Sequence, residues 1–86
     1  MDRLKQIETF VAAATKGSLT AAALSEGVAP AVIGRRIDGL EARLGVALFQ
    51  RRARGVDLTE AGRALVRHIR SLNASLHALE SEVVEF

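Results

Sequence analysis

The sequence predicts a mainly α fold in which three short helices and a two-stranded hairpin are followed by one long helix. Three observations carry this. Apolar residues recur at helical spacing in segments punctuated by Gly17, Gly27 and Gly45. A short apolar–basic–apolar stretch runs from Val46 to Leu58. Apolar residues from Leu65 to Phe86 then alternate steps of four and three.

The first helix is predicted over about Arg3 to Thr15, with Leu4, Ile7, Val11 and Ala14 on one face, Phe10 beside them and Gly17 as the stop. Ser18 is a good N-cap for a short Ala-rich helix reaching about Ser25, and Gly27 marks a tight turn. Pro30, favoured at a first helical position, opens the third helix, which places Ile33, Ile37, Leu40 and Leu44 inward and ends at Gly45. Val46–Phe49 and Val56–Leu58 read as two strands around the tip Arg51-Arg52-Ala53-Arg54-Gly55. Thr59 caps the last helix, with Glu60 near its positive end. Three helices and a basic hairpin make a winged helix-turn-helix. The expected division is residues 1–58 for that unit and 59–86 for the long helix.

Eighty-six residues suffice for one small domain. Of its 49% apolar residues only three are aromatic, and many are Ala, so the core is thin. With no Cys to form a disulfide or thiolate metal site, oligomerisation is the obvious source of further stability. No signal-peptide pattern and no apolar run of membrane-spanning length is present, which makes the cytoplasm the expected location. The net charge of +2 is unevenly spread: residues 1–70 hold all 12 Lys and Arg and balance at +5, whereas residues 71–86 balance at −3. A basic globular part followed by an acidic helix end suggests a polyanionic partner for the first part.

A helix-turn-helix needs a small residue where its helices cross, a tight turn and an apolar residue facing back. Ala23, Gly27, Val28 and Ile33 supply these in order. The outward face at the start of the third helix is then Pro30, Ala31, Gly34, Arg35 and Asp38. A recognition helix presents such N-terminal residues to base edges in the major groove, where Arg35 suits the paired acceptors of guanine. Arg36 lies to one side, towards phosphate. Gly34 inside a helix costs roughly 1 kcal/mol relative to Ala, a cost that close approach to a DNA groove explains. Gly39 carries the same cost without such a reason. Arg51, Arg52 and Arg54 suit phosphates or a narrow minor groove. Ser18 and Thr20 open the second helix, whose N-terminal amides suit a phosphate.

Other function classes fit less well. No nucleophile–base–orienter set, metal cluster or phosphate-binding glycine loop points to an enzyme, and no cofactor is expected. The isolated His68 and His77 read as helix-surface residues. A protein-interaction module, with the long helix as its working part and an inert hairpin, remains the competing reading.

The segments Phe10…Gly17-Ser18-Leu19-Thr20-Ala21-Ala22-Ala23, Ile37…Leu40-Glu41…Leu44-Gly45-Val46…Leu48-Phe49…Arg51 and Leu58-Thr59-Glu60-Ala61-Gly62 together resemble the N-terminal domain of LysR-type transcriptional regulators. The resemblance spans essentially the whole chain. It implies double-stranded promoter DNA as the partner, dimerisation through the linker helix, tetramers of the full-length protein, and a small-molecule effector acting through a further domain beyond Phe86. It implies no membrane association. The family's usual Ser-Gln-Pro at the start of the recognition helix is replaced by Ala29-Pro30-Ala31, and its usual Ser one turn later by Gly34. Base readout is therefore expected to rest on Arg35, on Pro30 and Ala31, and on DNA shape. Glu26 stands where the family buries a Leu, and Leu24 is expected to compensate through a shifted or shorter second helix.

The long helix carries Leu65, Ile69, Leu72, Leu76, Leu79, Val83 and Phe86 as an uninterrupted heptad seam, expected to pair with a second copy. The resemblance implies an antiparallel pair. In that arrangement Arg63, Arg67 and Arg70 face the end bearing Glu80, Glu82 and Glu85, whereas a parallel pair sets like charges together.

Overall fold

The computed structural model describes residues 2–86. Helices α1 (Arg3–Lys16), α2 (Leu19–Glu26) and α3 (Pro30–Leu44) lead into strands β1 (Phe49–Arg52) and β2 (Gly55–Leu58) and then helix α4 (Glu60–Val84).

Local chemistry sets most of these bounds. The Asp2 carboxylate accepts from the Leu4 amide and the Ser18 hydroxyl from the Ala21 amide, so α1 and α2 both start on side-chain caps. Gly17, Gly27 and Gly45 end the first three helices in the left-handed conformation that glycine adopts without strain. Helix α3 begins at Pro30, but its N-cap Ala29 has no side chain with which to cap it.

Phe10 and Ala13 of α1, Ala22 and Ala23 of α2, and Ile33, Ile37 and Leu40 of α3 form the core with Leu48 and Phe49. Phe10 and Phe49 meet at a ring-centroid distance of 5.2 Å, tying α1 to the hairpin. The buried stripe of α1 differs from the expected one. Gln6 and Thr9 are buried beside Phe10 and Ala13, while Leu4 and Val11 are exposed. Both buried polar groups have partners from α3: Gln6 Oε1 accepts from Arg43 Nε (3.1 Å) and Thr9 Oγ1 from Arg36 Nη1 (3.4 Å). Gly39 is explained here, because a Cβ at that position would stand 3.0 Å from Gln6 Nε2.

Two further expectations fail on packing grounds. Leu44 is exposed, since Gly45 ends α3 just as its last turn leaves the core. Leu24 is 85% exposed, so it does not replace the Leu that Glu26 displaces; α2 runs through Glu26 and turns Ala22 and Ala23 inward.

The hairpin lies three residues later on its first strand than the sequence suggests. Val46 and Ala47 are exposed linker, and pairing runs from Phe49↔Leu58 to Arg52↔Gly55. Glu41 Oε2 accepts the Leu48 and Phe49 amides (2.6 and 3.2 Å) and so decides where β1 begins. Arg51 and Arg52 are consequently strand residues, and only Ala53-Arg54 forms the tip. The Val56 amide donates to the Gly17 carbonyl (3.1 Å), seating β2 on the α1–α2 turn. A Cβ at Gly55 or Gly62 would collide with the backbone carbonyl of Gly17 or Leu48 respectively.

Thr59 links hairpin and long helix: its hydroxyl donates to the Ala47 carbonyl (2.7 Å) and accepts from the Gly62 amide (3.0 Å). Helix α4 then splits in two. Ala61, Leu65, Val66 and Ile69 pack on the core, whereas every residue from Ser71 onward is exposed. The boundary expected at residue 59 thus falls inside a packed region, and α4 leaves the core only after about Arg70. None of the described helices is long and apolar enough to cross a membrane.

Candidate nucleic-acid interface

Helix α3 supplies one half of the site. Its apolar side chains Ile33, Ile37 and Leu40 fill the core, and that choice of face forces residues 31, 35 and 38 outward. Pro30, Ala31 and Arg35 are exposed and Gly34 is half-buried. Arg35 has no hydrogen-bond or ion-pair partner among the described residues, so its guanidinium is available. A Cβ at Gly34 would meet nothing within 4 Å. Packing within the chain therefore does not account for this glycine, in contrast to Gly39.

The second half is a cleft of about 400 Å³ between the start of α2 and the wing. Ser18, Leu19 and Thr20 line one wall, and Arg51 through Val56 the other. The structure thus gathers five residues singled out in the sequence, Ser18, Thr20, Arg51, Arg52 and Arg54, in one concave polar surface. The first turn of α2 forms part of this wall, and the helix dipole adds a positive partial charge there.

The wing arginines are not equivalent. Arg51 Nη2 lies 2.6 Å from Asp38 Oδ1 on α3, and Arg52 pairs with Asp57 and donates to Gln50 Oε1 (3.1 Å). Arg54 has no partner among the described residues. Arg36 is half-buried, and its Nη1 donates to Thr9 Oγ1 (3.4 Å), where it serves α1–α3 packing. Sequence reasoning missed the pairing roles of Asp38 and Asp57. The alternation of Arg52 with Asp57 across a hairpin was a signal for the second; nothing in the linear pattern pointed to the first.

Along α4, the expected seam divides as the helix does. Leu65 and Ile69 are half-buried against their own core. Leu72, Leu76, Leu79 and Val83 are 60, 47, 55 and 59% exposed, and Phe86 fully so. A shallow apolar groove beside the seam is lined by Val11, Ala14, Leu58, Val66 and Ile69. Among the described residues no group of acids and histidines is arranged to hold a metal ion.

A three-helix unit with an outward-facing third helix and an arginine-bearing hairpin defines a winged helix-turn-helix domain. The model of the bacterial regulatory helix-turn-helix proteins of the lysR family matches residues 4–63, and the chain belongs to that family. The chain is 44% identical over 68 residues to the HTH-type transcriptional regulator TfdS of Cupriavidus pinatubonensis, covering 79% of this chain and 23% of that protein. It is 41% identical over 76 residues to ClcR of Pseudomonas putida, covering 88% and 25%. It therefore spans about a quarter of the length of these curated relatives. Among solved structures it is similar to the CbnR DNA-binding domain in complex with DNA (TM-score 0.80, 34% identity, all of both chains). It is also similar to the BenM DNA-binding domain bound to catB site 1 DNA (TM-score 0.80, 29% identity, 96% and 91% covered).

Proposed function

We propose that this chain is the DNA-binding part of a transcriptional regulator and binds double-stranded promoter DNA as a homodimer. The observation that carries the reading is the continuity of one surface: the outward face of α3, Arg51 beside it on β1, and the cleft holding Ser18, Thr20, Arg52 and Arg54. Solved relatives of the same fold were captured on DNA.

In this reading the first turns of α3 enter the major groove. Arg35 reads a base edge, with Pro30 and Ala31 making apolar contacts, and Gly34 lets the backbone approach closely. The α2–wing cleft takes backbone phosphate, with Arg54 reaching furthest along the minor groove. Residues 71–86 stand clear of the core, and their seam pairs antiparallel with a second copy. Residues 1–58 with the packed first half of α4 form the DNA-binding unit. No catalytic role or cofactor is assigned, the cytoplasm is the setting, and tetramer formation and effector sensing fall to a further domain.

Measuring affinity for a DNA duplex at several salt concentrations tests this. Phosphate contacts release counterions, so log K should fall linearly with log salt. Absence of binding at low salt would instead favour the protein-interaction reading of the exposed seam.

A further inference from the structure

We infer that Asp38 is a positioning residue that sharpens DNA discrimination by holding Arg51 against the recognition helix. The inference rests on the DNA reading above. Asp38 lies three residues after Arg35 on the outward face of α3, where a free carboxylate would repel a phosphate backbone. Its charge is instead spent on Arg51, at 2.6 Å across 13 residues of sequence. Among the described residues this is the only ion pair that joins the recognition helix to the wing; Arg52 is paired within the hairpin itself. Both side chains stay well exposed, at 40% and 62%, so the pair contributes little to folding.

Its consequence lies in which DNA profits from Arg51. Non-specific duplex is held through phosphates alone, and a phosphate approaching Arg51 must compete with the Asp38 carboxylate for its charge. A duplex that seats α3 in its groove instead meets Arg51 already fixed at the groove edge. Asp38 thus weakens non-specific binding more than specific binding, and widens the gap between them.

The test uses the 86-residue chain as wild type, Asp38→Asn, Arg51→Gln and the double variant, with helicity and melting checked by circular dichroism. Each is titrated with a random-sequence duplex and with a duplex enriched by selection, over a range of salt. Asp38→Asn should tighten random-duplex binding, steepen its log K against log salt slope by about one, and lower the selected-to-random ratio several-fold. In the Arg51→Gln background, where Asp38 is a free carboxylate, Asp38→Asn should tighten binding to both duplexes alike and leave the selected-to-random ratio unchanged. An unchanged selected-to-random ratio in Asp38→Asn, or an equal loss of that ratio without Arg51, would overturn the inference while leaving the DNA reading intact. Wild type that binds neither duplex at low salt would overturn both.

Discussion

Glu41 holds the amide of Leu48 at 2.6 Å, and with it the first strand of the wing. One carboxylate on the recognition helix therefore sets the position of a hairpin seven residues away, because its Oε2 also accepts from Phe49. That acceptor ties helix α3 to the wing.

Replacing Glu41 by Ala leaves two part-buried amides without their acceptor. Stability should fall by about 1–3 kcal/mol, with Glu41→Gln losing less because its amide oxygen still accepts. Urea unfolding of the three proteins checks this, and equal stability of all three would show that the carboxylate does not anchor the strand.

Two helical glycines should respond oppositely to Ala. At Gly62 the new methyl collides with the Leu48 carbonyl, and overpacking should cost about 1–3 kcal/mol. At Gly34 the space is open, so the better helix former should stabilise the fold by up to about 1 kcal/mol. Gly34→Ala should nevertheless bind DNA more weakly, since the methyl faces the groove. Melting curves and duplex titrations on both variants separate the cases; undiminished DNA binding by Gly34→Ala would remove the reason given for that glycine.

The cap that Ala29 lacks can be supplied. Ala29 already has extended N-cap geometry, so Ala29→Ser should stabilise the protein by about 0.5–2 kcal/mol. A chemical denaturation midpoint that does not rise would mean that the α3 amides are already satisfied.

Leu72 is 60% exposed and lies beyond the part of α4 that packs on the core. Leu72→Glu should therefore keep the helical fold of the domain by circular dichroism while converting dimers to monomers in sedimentation velocity, with melting lowered only by what pairing contributes. A dimer that survives the change would move the interface elsewhere.

Element order and type were legible because each helix carries its own stop and start: Gly17 with Ser18, Gly27 with Pro30, Gly45, and Thr59. The inward face of α3 was legible for the same reason, as Ile33, Ile37 and Leu40 have no competing stripe. Helix α1 was harder, because it presents apolar residues to two sides and buries Gln6 and Thr9 through partners 37 and 27 residues away. Periodicity cannot register such pairings. Strand β1 was misplaced because its start depends on Glu41, a tertiary contact, rather than on the apolar run Val46–Phe49. In the site, the residue types were readable and their availability was not. Arg35 and Arg54 are without partners among the described residues, while Arg36, Arg51 and Arg52 are already engaged.

A two-fold pair of these chains that binds DNA by sequence must select its own target. Selecting bound duplexes from a random DNA pool tests it most directly. Enrichment of an inverted repeat is expected, its half-sites separated by about one helical turn or a multiple of it, as a symmetric dimer requires. A pool that stays random after repeated selection, or one that converges on a single unrepeated half-site, would contradict it.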